Sequence, residues 1–319
     1  MSPPEILVFA PSPSESVMAQ LDAQFHCHHV WAVPAAGREA FIDGVAANVR
    51  GILTVGPIGV DAALVARLPR LEIVSLNSVG YDKVDFDALR PRGIAVTNTP
   101  GVLTDDVADL ALLLLLAVAR RLPAMDRYVR DGDWSARKPL LPSRGVRGKV
   151  AGIFGYGRIG QAIGGRLAAL GMEIRYFQPR AVPGVSAPRA DSLLELARQS
   201  DVLVLSAPAT PATHHIVDAA VMAALGPQGT LVNIARGALV DEAALIAALQ
   251  GGQLGAAALD VFEHEPDVPP ALRALENVVL TPHIGSLTVE TRHAMGQLAL
   301  DNLLAHFAGR PLLTPVTLK

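Results

Sequence analysis

The chain has 319 residues, enough for about two domains of ordinary size. Half of its residues are apolar and mean hydropathy is +0.35, so sizeable cores or a subunit interface can be built. A net charge of −3 without any basic run excludes an electrostatic binder of nucleic acid or membrane surface, and the single cysteine, Cys27, excludes an internal disulfide and a multi-cysteine zinc site.

No basic stretch opens the chain, and the apolar run at 6–9 is too short for a signal peptide. The longest apolar stretch, 110–119, is about half a membrane span and lies between Asp109 and Arg120, so it reads as a buried helix. The expectation is a reduced, cytoplasmic protein.

In chain order, short β-branched runs at 6–9, 52–55, 73–76 and 94–97 predict strands, each followed by helical apolar spacing or a turn. Asn98-Thr99-Pro100-Gly101 then breaks the pattern, and Thr104-Asp105-Asp106 offers a helix start with acidic residues in its first turn. The helix that follows is apolar on nearly all sides, which predicts burial between domains or subunits. A second series of strands is predicted at 150–154, 174–177, 202–206, 231–234, 256–261 and 278–281. Strands alternating with helices give an α/β fold with doubly wound parallel sheets.

The strand at 150–154 runs into Gly155-Tyr156-Gly157-Arg158-Ile159-Gly160, with a helix expected from about Gln161 to Leu170, stopping at Gly171. Glycines in G-x-G-x-x-G permit a tight turn, close approach of backbone to a pyrophosphate, and tight helix–strand packing. The helix N-terminus aims unpaired N–H groups at the phosphates. The motif alone is weak, but strand, turn and helix in this order point to a dinucleotide.

Three strand ends downstream carry chemistry. Arg236 follows the strand at 231–234, Glu265 lies four residues beyond Val261, and His283 follows the strand at 278–281. In parallel strands all three emerge at the carboxyl edge of one sheet, where open α/β sheets bind ligands. Singly, each reads as a surface ion pair or a solvated loop residue. Together, an arginine for a carboxylate, a histidine for a proton and a glutamate beside the histidine make a reductase site. The run Phe25-His26-Cys27-His28-His29-Val30-Trp31 invites a metal reading, but alternate strand residues face opposite ways and nothing nearby completes four ligands. It is read as a solvated edge strand, and no metal is assigned.

On Ser78-Val79-Gly80-Tyr81-Asp82, the segment from Val96-Thr97-Asn98-Thr99-Pro100-Gly101 through Val102-Leu103-Thr104-Asp105-Asp106-Val107-Ala108, the glycine turn and the Arg236, Glu265 and His283 segments, the chain resembles the D-isomer-specific 2-hydroxyacid dehydrogenase family over essentially its whole length. Within that family it is most similar to glyoxylate/hydroxypyruvate reductases and hydroxyphenylpyruvate reductases. The resemblance implies a flavodoxin-like substrate domain of residues 1–98 and 286–319, with a Rossmann-type nucleotide domain, 99–285, inserted and a cleft between the two. It also implies a homodimer, with the long apolar helix and the Trp134 region at the contact, Trp134 capping the partner's pocket.

By the same resemblance, Arg236 would clamp the keto-acid carboxylate, and the Val79 and Gly80 N–H groups would hold its other oxygen. His283 would donate the proton, with Glu265 favouring the imidazolium. Thr104, Gly155, Gly157, Arg158, Ile159, Gly160, Ala235, Asp260 and His283 would line the cofactor. One departure selects the cofactor. An NAD-binding turn carries an acid about 20 positions beyond the glycines. Gln178 stands at that place, with Arg180 two residues on, which favours the 2′-phosphate of NADP over NAD. The expected activity is NADPH-dependent reduction of a small 2-keto acid, with hydroxyphenylpyruvate reduction as the alternative. A nicotinamide-sensing corepressor, from another class, is disfavoured because the chain carries no basic or disordered extension.

Overall fold

The computed structural model describes residues 3–12, 14–140 and 142–317. The chain divides into two compact units, one formed by the chain up to Leu103 and again from Ser286, the other by Thr104–Gly285. Residues 99–103 group with the first unit, whereas the sequence reading drew its border at Asn98.

The first unit is built on a five-stranded sheet, β1 Glu5–Val8, β2 His26–His29, β3 Val49–Thr54, β4 Ile73–Leu76 and β5 Ala95–Thr97. All pairs are parallel and the order is β2-β1-β3-β4-β5, the flavodoxin arrangement. Ile6, Leu7, Val8, Ile52, Ile73, Val74 and Leu76 are buried on alternating faces, so both faces need cover. The helix Val289–Phe307 covers one of them with Ala299, Leu300 and Leu303, fastened where Ser75 Oγ donates to the Ala299 carbonyl. The histidine run forms the edge strand β2, with His28 bonded to Glu5 and His29 paired to Asp22.

The second unit carries β6 Val150–Phe154, β7 Glu173–Phe177, β8 Val202–Leu205, β9 Thr230–Asn233, β10 Ala256–Leu259 and β11 Val278–Leu280, all parallel. Their order is β11-β10-β9-β8-β6-β7. The chain reverses its winding between β6 and β8, the switch point at which such sheets leave a crevice beyond the strand ends. Several expected strands end a residue or two sooner: Ser206, Asp260 and Thr281 each give one last N–H to the adjacent strand and then turn into loop. Those loops build the site.

The long helix is Thr104–Ala119, and eight of its residues are buried within this unit against Arg158–Ala169 and the β9–β11 side of the sheet. Leu113 remains 55% exposed. Among the described residues, no helix is long and apolar enough to cross a membrane.

Candidate active site

The glycine turn begins where β6 ends, and its glycines answer to different constraints. Gly155 has φ +87°, and a Cβ there would lie 2.6 Å from the Ala207 nitrogen, across the switch point. A Cβ on Gly160 would lie 2.1 Å from the Gly155 carbonyl oxygen. Around Gly157 nothing lies within 4 Å of that position. The protein itself therefore requires the first and third glycines, while the second opens onto free space of the kind a phosphate group would fill. The helix starts at Arg158, three residues earlier than expected, because Arg158, Ile159 and Gly160 already form its first turn. Gly157 caps it and offers no side chain to the N–H groups of that turn. Arg166 on this helix pairs with Asp105 and Asp109 and so ties it to the helix that Thr104 opens.

At the end of β7, Gln178 accepts the Tyr156 N–H through Oε1 at 2.9 Å and donates through Nε2 to the Arg180 carbonyl at 2.8 Å. The side chain in the acid's usual place thus braces the glycine turn. Arg180 is exposed, and its guanidinium makes no hydrogen bond or ion pair among the described residues. Arg189 donates to the carbonyls of Gln178 and Pro179, which fixes the loop that presents Arg180.

Arg236, Glu265 and His283 come together on the loops after β9, β10 and β11. His283 Nδ1 lies 2.7 Å from Glu265 Oε2, and Glu265 Oε1 accepts the Phe262 N–H. Burial pushes the Glu265 carboxyl up, but the hydrogen bond and charge of His283, the Phe262 N–H and the charge of Arg236 outweigh it, so the group ends below the ordinary carboxylate value. Asn233 shapes the arginine loop from within, donating to the Arg236 carbonyl and accepting from Ala235 N–H. A Cβ on Gly237 would lie 1.9 Å from the Phe262 carbonyl carbon, so only glycine lets the Arg236 loop lie against the segment leading to Glu265.

Asp260 is 1% exposed and accepts from Thr281 Oγ1, Ile284 N–H and Gly285 N–H, while its carbonyl accepts the His283 N–H. It acts as a clasp on the 281–285 loop and holds His283 in a left-handed conformation, φ 54°. Burial pushes its carboxyl up despite those donors and the charge of His283.

Val79 and Gly80 belong to the other unit. Their carbonyls accept from Asn98 Nδ2 and Ser78 Oγ, and neither N–H donates to a protein acceptor among the described residues. Ser206, whose Oγ donates to the Gly155 carbonyl at the glycine turn, Asn233 and Gly237 were missed by sequence reasoning. Ser206 ends an expected strand and Asn233-Ile234-Ala235-Arg236-Gly237 is a single motif, so only their contacts were hidden.

Residues 112–285 match the D-isomer specific 2-hydroxyacid dehydrogenase NAD binding domain. The chain is 49% identical to hydroxyphenylpyruvate reductase of Plectranthus scutellarioides, over 93% of this chain and 94% of that protein. It is 48% identical to glyoxylate/hydroxypyruvate reductase A of Arabidopsis thaliana, with the same coverage of 93% and 94%. The crystal structure of an NADPH-dependent glyoxylate/hydroxypyruvate reductase from Sinorhizobium meliloti with NADP and malonate superposes with a TM-score of 0.89 at 41% identity, over 99% of this chain and 97% of that one. The class defined by this fold and strand-edge site is thus a nicotinamide-dinucleotide oxidoreductase. The chain belongs to the D-isomer specific 2-hydroxyacid dehydrogenase family.

Proposed function

We propose that the chain reduces small 2-keto acids, glyoxylate and hydroxypyruvate foremost, to 2-hydroxy acids with NADPH. The observation that carries this reading is the 2.7 Å Glu265–His283 bond beside Arg236, on the strand ends of the sheet that bears the glycine turn. Relatives bearing glyoxylate/hydroxypyruvate reductase names support the substrate class.

Arg236 offers its planar fork to the substrate carboxylate. Val79 and Gly80, whose N–H groups donate to no protein acceptor among the described residues, are assigned to substrate binding. A carboxylate only accepts, so Glu265 keeps a proton on Nδ1 of His283 and leaves Nε2 as the donor atom. Nε2 gives its proton to the carbonyl oxygen as that oxygen gains charge, and the neutral imidazole is reprotonated from water. When bound, NADPH supplies the hydride that adds to the carbonyl carbon, leaving the 2-hydroxy acid and NADP⁺. The space at Gly157, the first turn of its helix and Arg180 suit the pyrophosphate and the 2′-phosphate respectively. On this reading Thr104–Gly285 is the nucleotide domain and the other unit the substrate domain.

We further propose a cytoplasmic homodimer. The helix Leu122–Arg130 buries none of its residues, and Leu122, Val129 and Trp134 are more than half exposed together with Leu113. An apolar surface of this kind marks a protein contact. Light scattering on a sizing column tests the dimer.

The activity test follows NADPH absorbance with glyoxylate, hydroxypyruvate, pyruvate, phenylpyruvate and hydroxyphenylpyruvate and compares kcat/KM. Glyoxylate and hydroxypyruvate should lead. A clear preference for hydroxyphenylpyruvate overturns the substrate choice, and no turnover of any keto acid overturns the enzyme.

A further inference from the structure

A second cluster of ligand-bearing side chains lies apart from the Glu265–His283 pair. His214, His215 and Glu263 each offer one nitrogen or oxygen, and the three atoms lie within 4.8 Å of one another. His215 has φ +50°, so two consecutive histidines, which an extended chain would point apart, turn the same way. Their rings stack with centroids 3.9 Å apart. His215 Nε2 lies 2.6 Å from Glu263 Oε1.

The backbone holding these groups is well fixed. Thr210 and Thr213 bond reciprocally in a capping box, and His215 N–H donates to the Ala238 carbonyl. Glu263 N–H donates to Glu242 Oε2, and Glu242 is a buried carboxyl that adds an acidic group behind Glu263. Two imidazoles and a carboxylate are a donor set suited to borderline cations, and three protein ligands leave a fourth position for water.

We propose that His214, His215 and Glu263 form a binding site for a divalent transition-metal cation of the zinc type, distinct from the acid–base pair. Ligands in a tetrahedral zinc shell lie about 2.0–2.2 Å from the metal and so about 3.3 Å from each other. The His215–Glu263 contact therefore opens slightly on binding, and His214, which is exposed, swings out of the stack to bring its lone pair onto the ion. The site joins the loop that starts against Gly155 at Ala207 to the segment that Phe262 and Glu265 share. Bound metal fastens these two loops together on either side of the arginine loop, and turnover slows. This last effect rests on the proposed reductase reading, whereas binding does not.

The probe is zinc ion itself, followed by equilibrium dialysis and calorimetry on the full chain, with cobalt(II) as an optical substitute. His214→Gln removes an exposed ligand and leaves the His215–Glu263 bond in place, and His26→Gln serves as a control on the β2 histidines. Wild type and the His26 variant should each take up one tight zinc, and His214→Gln should weaken it at least about tenfold. Cobalt should give visible tetrahedral absorption in wild type that His214→Gln abolishes. Zinc uptake that is absent from wild type, unchanged in His214→Gln, or lost in His26→Gln overturns the site. With binding established, zinc should slow keto-acid reduction in wild type and much less in His214→Gln. Equal slowing in both overturns the loop-fastening effect while leaving the site intact.

Discussion

His283 and Asp260 are joined through the backbone: the His283 N–H donates to the Asp260 carbonyl at 2.8 Å, and the Asp260 carboxylate holds the two residues after His283. His283 therefore owes its position to a buried residue just past the end of β10, while its hydrogen-bond partner, Glu265, comes from the loop between them.

Removing the donor tests the core of the reading. His283→Ala should lower kcat by about 10²- to 10⁴-fold, the usual worth of a positioned general acid. NADPH affinity, measured by fluorescence titration, should change little. A variant that keeps wild-type turnover would show that the proton comes from elsewhere.

Glu265 gives a pH signature. Its carboxyl lies below the ordinary value of 4.5, so its stabilisation is present above that value and is lost as pH falls through the lower folded one. Glu265→Gln should therefore lower the Tm most near neutrality, and the gap to wild type should close in acid. Thermal melts from about pH 7 down to about pH 2.5 check this. A gap that does not vary with pH would mean that the carboxylate's charge contributes nothing.

Cofactor choice is assigned to Arg180. Arg180→Ala should weaken NADPH strongly and NADH little, because only the former carries the 2′-phosphate that a charge-assisted bond would hold. Comparing kcat/KM for both cofactors in both proteins decides it. Equal or better use of NADH by wild type sinks the assignment.

Gly237→Ala should be costly although it adds one methyl group. The new Cβ would meet Phe262 backbone at 1.9 Å, and backbone cannot rotate aside as a side chain does. Either the Arg236 loop or the 262–265 segment must move. The expected result is about 1–3 kcal/mol of lost stability, as for other overpacked sites, and a fall in kcat/KM. Denaturant melts and the glyoxylate assay measure the two separately, and an unperturbed variant would contradict the tight approach described here.

Much of this was legible in the sequence because parallel sheets write themselves as short apolar runs. The runs at 73–76 and 150–154 are strands β4 and β6 with the same ends, and the histidine run is an edge strand. Arg236, Glu265 and His283 could be placed at one edge because a parallel sheet puts all its carboxyl ends together. What the sequence hid were relations between distant positions. Gln178 was readable as the missing acid, but not as the brace of the glycine turn, since its partner is the N–H of Tyr156, 22 residues earlier. The three donors that hold the Asp260 carboxyl, Thr281 Oγ1 and the Ile284 and Gly285 N–H groups, lie 21 to 25 residues further along the chain, beyond any local reading. The His215–Glu263 contact spans 48 residues, and a search for metal ligands in the primary sequence stops instead at the conspicuous run in β2.

The unequal surroundings of the three turn glycines bear on how this chain can change over time. Gly155 and Gly160 are held by neighbouring backbone, so any descendant that still folds this way must keep them. Gly157 has a φ of −75°, open to any residue, and no neighbour to offend. Selection on that position passes through the ligand alone. A lineage that gave up dinucleotides but kept its architecture would therefore let 157 drift while 155 and 160 stayed fixed, which makes this one position a record of whether the cofactor is still in use.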